Sequence, residues 1–189
     1  YSAGTGTFGD LFMAISELDL EEPDPPFYNT DLAWTGSSQL VIFQNSITGL
    51  EVGDQIGIFD AAGIVDASGN TGELLVGPAL ESGPVLGMWD GEQISLTAIS
   101  SVDMSQFGGP ILPGYVDGNS VMLKVYREST GLEYAATATY SAGTGTFGDL
   151  FMAISELTLG DVLDNDEVWM GPESYTLNQN YPNPFNPET

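Results

Sequence analysis

Histidine and cysteine are absent from the 189-residue chain, and Lys and Arg together number only 2. Without His, the usual acid/base and metal-ligand side chain near neutral pH is missing. Without Cys there is no thiolate nucleophile, no disulfide, and no ordinary zinc, copper or haem site. Cysteine usage therefore says nothing about compartment. The two cations stand against 27 carboxylates, for a net charge of −25. A field of that sign repels phosphate, so nucleic acid and anionic membrane surfaces are poor partners, and no nucleic acid is expected. Cations, basic proteins and uncharged sugars are not. No apolar run approaches the roughly 18 residues of a membrane span, so no membrane insertion is expected. Tyr1 opens without Met or a basic leader, and the start is expected to be internal to a longer precursor.

What is present is an affordable core, with 42% apolar residues, and regular punctuation by 24 Gly and 11 Pro. Between the punctuation lie short runs rich in Thr, Val, Ile, Tyr and Phe. No segment sustains a 3.6-residue period with caps. Residues 39–45, 55–60, 74–76, 85–89, 93–99, 121–127, 132–141 and 150–157 read as strands. Turns separate them at spacings typical of all-β domains. The expectation is an all-β fold, a two-sheet antiparallel β-sandwich of Ig-like or jelly-roll-like type, with extended acidic and Pro-rich flanks.

An internal repeat organises the chain. Residues 1–18 read YSAGTGTFGDLFMAISEL, and residues 140–157 repeat all 18 positions without a change. Chance does not produce this, and a spacing of one domain length marks tandem modules. Residues 1–18 are thus expected to be the terminal hairpin of a preceding repeat, or strands donated to another subunit. Residues 19–31 (DLEEPDPPFYNTD) read as a stiff acidic linker and 32–157 as a β-sandwich module. Residues 158–176 read as a second acidic linker, and 177–189 as the start of a further domain.

The last of these segments reads LNQNYPNPFNPET, from Leu177 to Thr189. It resembles the opening of the type A C-terminal sorting domain of type IX secretion substrates. That resemblance implies export from a Gram-negative cell through that secretion machinery, followed by release or surface attachment. Residues 31–36 (DLAWTG), 50–60 (LEVGDQIGIFD), Val125 and Tyr126 through Tyr134, and the TYSAGTGTFG string from Thr139 resemble a repeated extracellular module of such substrates. That family implies no transferable activity. Asp66, Ala67, Ser68 and Gly69, with Gly83 and Pro84, depart from its pattern.

Few residues suggest chemistry. Asp54, Asp60, Asp66, Asp90 and Glu92 could in principle supply a glycosidase pair. They fall in no signature and suit solubility and turn capping, so no enzyme is expected. Calcium needs loop oxygens, and Asp66, Ser68, Asn70 and Glu73 offer them at near-alternate positions. Residues 161–167 (DVLDNDE) are also dense in carboxylate. The competing reading of both is a capped turn and a solvated linker. Lys124, the only Lys, sits in VMLKVYR and reads as an edge or surface residue that discourages sheet pairing. Its alternation sets it against the face needed for an isopeptide bond. Trp34, Trp89 and Trp169 could stack on sugar, or simply fill a core.

The repeat points to assembly. Residues 1–18 alternate Leu11, Met13 and Ile15 against Phe12, Ala14 and Ser16, with Phe8 before them. Phe8, Leu11, Phe12, Met13 and Ile15 are the candidate assembly residues, acting by strand addition to another subunit in a head-to-tail homopolymer. The expected function is that of a non-enzymatic structural subunit of a secreted or surface-attached bacterial fibre, stalk or layer. The alternative is a glycan- or calcium-binding accessory module of a large secreted adhesin or enzyme. Self-association without ligand would separate the two.

Overall fold

The fold, taken from a computed structural model, is described over residues 26–79 and 87–163. Its strands are β1 (Ser38–Phe43), β2 (Gln55–Ile64), β3 (Thr71–Gly77), β4 (Ile94–Ile99), β5 (Val102–Asp103), β6 (Ile111–Leu112), β7 (Val121–Arg127), β8 (Leu132–Ala142) and β9 (Phe151–Val162). A short 3₁₀ turn, Ser105–Phe107, is the helical element among the described residues. The chain is all-β, as its punctuation implies. The strands are not hydrogen-bonded into two stacked layers. Seven join in one sheet, in the order β3-β2-β7-β8-β9-β1-β4, and β5 pairs with β6 separately. The β1–β9 pair is parallel, so the large sheet is mixed.

The sheet curls until its two edges meet. The backbone N–H of Ala79, just past β3, donates to the Thr97 carbonyl of β4 at 3.0 Å. Gly77 permits that approach, because a Cβ there would sit 2.7 Å from the same oxygen. Curling gathers one face of the sheet into the core. Val41 and Phe43 of β1, Ile56 and Ile58 of β2, Leu123 and Val125 of β7, and Met152 and Ile154 of β9 are buried there. Period-2 alternation accounts for β1, where Gln39, Val41 and Phe43 point in while Ser38 and Leu40 point out.

β2 is buried on both faces from Gln55 to Asp60. The second cover is residues 27–30, within the stretch expected as linker. This strap lies across the outer face. Phe27 stacks on Tyr126 with ring centroids 3.9 Å apart, and Tyr28 meets Phe59 edge to face at 5.7 Å. The Tyr28 hydroxyl donates to Glu133 Oε1 at 2.8 Å, and Gln55 Oε1 accepts from the Phe27 N–H at 2.7 Å. Gly57 leaves room for the strap: a Cβ there would stand 2.9 Å from Tyr28 Cδ1.

Two other boundaries move. β9 runs five residues beyond Leu157 to Val162, into the stretch expected as the second linker. It continues because β8 still offers an edge there and Leu159 still packs on the core. The expected strand 85–89 is described only from Gly87, where Met88 forms a single bridge to Gln55 and Trp89 turns into the core. Residues 104–114, which hold none of the expected strands, carry the 3₁₀ turn and β6.

Candidate functional site

The duplicated segment has a defined place in the fold. Residues 140–157 comprise the end of β8, a Gly-rich loop and the first seven residues of β9. β9 is an interior strand. It pairs antiparallel with β8 from Tyr134 to Ala142 and parallel with β1 from Leu40 to Phe43. Without it the ladder would be interrupted, leaving β3-β2-β7-β8 and β1-β4 in touch only where the curled edges meet. The second copy of the repeated sequence fills the seat between β8 and β1.

The fit of β9 in its seat is close. Met152 and Ile154 are fully buried, and Leu157 nearly so. The Ile154 carbonyl accepts from Gln44 N–H at 3.0 Å, and the Ser155 carbonyl from Ser46 Oγ at 2.8 Å. Gly49 lies so near that a Cβ on it would be 2.5 Å from the Leu157 carbonyl oxygen. The loop before β9 needs glycine, since Gly143, Gly145 and Gly148 have φ of 82°, 77° and 103°. Asp149 Oδ2 closes the loop by accepting from the Thr144 N–H at 2.7 Å and its hydroxyl at 2.8 Å. Phe147 caps the core, stacked on Tyr115 with centroids 4.3 Å apart. Gln39 Oε1 accepts from the Gly148 N–H at 2.8 Å, whereas the Gln39 amide nitrogen finds no partner among the described residues. Burial pushes the Tyr140 phenol above its ordinary range, and Tyr115 likewise.

The candidate assembly residues Phe8, Leu11, Phe12, Met13 and Ile15 lie outside the described residues. Their equivalents in the second copy sort them. Phe147, Met152 and Ile154 are buried, matching Phe8, Met13 and Ile15. Leu150, matching Leu11, is 91% exposed, and Phe151, matching Phe12, is 42% exposed. Alternation puts Leu11 on the face of Met13, but in the second copy the position falls before the strand begins. Leu157, the equivalent of Leu18, is buried as well. Alternation from Met13 and Ile15 puts Leu18 on the other face; in the second copy a register shift between Glu156 and Ile154 turns Leu157 inward, which no local signal marks. Gln39, Ser46 and Gly49, which line the seat, carry no such signal.

The calcium candidates do not converge. Asp66 Oδ1 accepts from the N–H groups of Ser68 and Asn70 at 2.8 and 3.2 Å, and Oδ2 from Asn70 Nδ2 at 2.7 Å. The Asn70 side chain, before the backbone donors, holds the Asp66 carboxyl below its usual range. This is a self-capped Asx turn. Glu73 instead faces Lys124, with Oε1 at 2.6 Å from Nζ. Among the described residues no group of three or more acidic side chains is placed to hold a metal. Residues 164–167 of the other acidic run lie outside the described set.

Lys124 corrects an expectation. It stands on β7, an interior strand between β2 and β8, and not at an edge. Its side chain is 16% exposed, with Nζ 4.5 Å from the centre of the Phe59 ring. The strap and its aromatic neighbours make this outer face a second, smaller packed layer, so the Lys is held and does not repel sheets. Burial, and then Glu133, push the Tyr28 phenol far above its ordinary range.

Asp54, Asp60 and Asp90 each accept hydrogen bonds from nearby groups of the fold. Asp54 and Asp60 are buried on β2's core side, six residues apart, or about 20 Å along a strand. A glycosidase pair sits within about 10 Å. Asp60 accepts from Ala62 N–H, Val116 N–H and Asn119 Nδ2 at 2.9 Å each. Asp54 binds Arg127 through Nη2 at 2.8 Å and Nε at 3.1 Å. That pairing, above all the hydrogen bonds Arg127 donates to Asp54, raises the Arg127 pKa. Asp90 accepts from the Glu92 N–H at 2.9 Å, in an exposed turn. Trp89 fills the core, whereas Trp34 is 49% exposed, so the two share no platform. Trp169 lies outside the described residues.

No family model matches the chain, and neither a curated protein nor a solved structure matches it.

Proposed function

We propose that this chain is a non-enzymatic structural subunit of a secreted or surface-attached bacterial fibre, stalk or layer. Subunits join head to tail, and residues 1–18 of one chain take the seat between β8 and β1 of the next by displacing its residues 140–157. The observation that carries the reading is the 18-residue identity between residues 1–18 and 140–157, the latter supplying an interior strand of the sheet. A segment able to fill such a seat brings backbone pairing on both sides and a row of core side chains, which is strand addition in its most complete form. A contact of that kind repeats without closing, so it yields a linear polymer. The QNYPNPFNP string near the C-terminus supports export by the type IX machinery. The high negative charge keeps the subunits soluble until they join.

The test is sedimentation velocity and electron microscopy of the full chain across concentration and salt. Linear assemblies are expected, abolished by Met13→Asp and retained by Phe12→Asp. A chain that stays monomeric under all conditions would refute the proposal.

A further inference from the structure

The two copies of the repeated segment need not belong to different sheets. We infer that residues 1–18 also fill the β9 seat of their own chain, displacing residues 140–157. This rests on the duplicated segment behind the functional proposal, but not on self-association.

Four observations carry it. First, the side chains the seat selects are supplied by the N-terminal copy position for position. Phe8, Met13, Ile15 and Leu18 stand where Phe147, Met152, Ile154 and Leu157 are buried, and Gly4, Gly6 and Gly9 where the loop needs positive φ. Second, β9 is the last strand described, so it leaves its seat without threading past any later described strand. It is joined to β8 by the Gly-rich loop, which Phe147 and backbone bonds with Gly118, Asn119 and Val121 tie to the core, so loop and strand leave together. Its pairing with β1 is parallel and covers only four residue pairs, the weaker arrangement. Its pairing with β8 is broken by three register irregularities.

Third, the chain is long enough. The strap fixes residue 27 over the row of the sheet that holds Gln55, Tyr126 and Glu133. Leu157 pairs with Ala138, five residues along β8 from Glu133, and β9 lies three strands from β2. That is about 17 Å along and 14 Å across, or about 22 Å in all. Residues 19–26, when extended, reach about 26 Å. Fourth, the strap and the exit of β9 share one residue. The Leu163 N–H donates to the Glu133 carbonyl at 2.8 Å, and the Tyr28 hydroxyl donates to the Glu133 carboxylate. A strand leaving the seat is thus delivered to where the strap begins.

The copies differ only beyond their identity. In β9, residues 158–162 (TLGDV) continue the pairing with β8, and the corresponding residues 19–23 are DLEEP. Pro23 replaces Val162 and has no N–H to donate. Residues 140–157 therefore hold the seat more strongly, and residues 1–18 are the minority occupant. Weakening the resident copy should hand the seat over.

The experiment uses the full chain and two readouts. Thr139 pairs with Glu156, and both are exposed, so Thr139→Cys with Glu156→Cys reports the resident strand. Thr139→Cys with Glu17→Cys reports the N-terminal copy. In dilute solution under oxidation the second pair is expected to yield a disulfide-linked monomer, accumulating faster when Ile154→Asp is added. In thermal melts, Ile154→Asp is expected to retain a cooperative transition, and Ile154→Asp with Ile15→Asp to lose it. Disulfide-linked dimers without linked monomer would overturn the inference, placing the segment in a neighbour's seat instead. So would the absence of any link alongside an Ile154→Asp variant as unfolded as the double variant. Either result leaves the self-association measurement to judge the functional proposal separately.

Discussion

Removing the guanidinium of Arg127 is the sharpest test of how this acidic chain tolerates a buried charge. Arg127→Met keeps most of the aliphatic stem and deletes three donations to Asp54, at 2.8, 3.1 and 3.3 Å, and one to the Gly49 carbonyl at 3.0 Å. Asp54 is 1% exposed and keeps only the Glu51 N–H, at 2.9 Å. Breaking a buried pair from one side costs about 3–5 kcal/mol, because the surviving charge has lost its partner. Arg127 itself borders solvent and water can reach the vacated space, so the lower end applies, about 3 kcal/mol. For a domain of this size that lowers Tm by about 10 °C. The assay is a double-mutant cycle by thermal and urea unfolding, using Arg127→Met, Asp54→Leu and the pair. The double variant should be less damaged than the sum of the singles, by about 2 kcal/mol, since it removes both charges together. An Arg127→Met variant within about 0.5 kcal/mol of the parent would refute the reasoning, as would strict additivity.

Three further outcomes follow from the packing. Gly57→Val should lift the strap, raising hydrogen exchange of residues 27–30 and lowering Tm, because its Cβ would meet Tyr28 and Phe59; unchanged exchange would show that the strap does not lie on that face. Stability should fall as pH rises above about 10, because the unfolded chain ionises its tyrosines there while buried Tyr28 stays protonated. Tyr28→Phe should flatten that slope, and an unaltered slope in urea titrations would remove Tyr28 as the cause. Asp60→Asn should cost about 2–3 kcal/mol, since an amide N–H₂ would face donors where the carboxylate only accepts, and a neutral result by urea unfolding would contradict the hydrogen-bond assignment.

Much of the fold was legible because its signal is local. β7 was read at its observed bounds from VMLKVYR, and β1, β2, β4 and β8 to within a few residues, since alternation and turn glycines act over short range. What was not legible depends on distant neighbours. Nothing in QLVIFQN states that β1 will run parallel to a strand more than a hundred residues later, so layer and order are not written in the local pattern. Residues 26–31 looked like linker because Pro and acid dominate locally, although Phe27 and Tyr28 find an aromatic shelf on β2 and β7. Lys124 looked like an edge residue because strand position in a sheet is not a local property. For the site, the repeat identified the segment, but only its seat separated Met13 and Ile15 from Leu11 and Phe12.

The position of β9 has a consequence in time. It is the last strand described, yet it joins the two parts of the sheet. A chain emerging N-terminus first can pair β2 with β3 and β1 with β4, but those pieces have no shared ladder until residues 151–162 arrive. The decisive contacts, β1 with β9, span more than a hundred residues, which makes completion late and slow relative to hairpin formation. If residues 1–18 take the seat as inferred above, that order changes: a strand of the required sequence would be present when β1 emerges, and the first half of the ladder would form on it before the resident copy has been made.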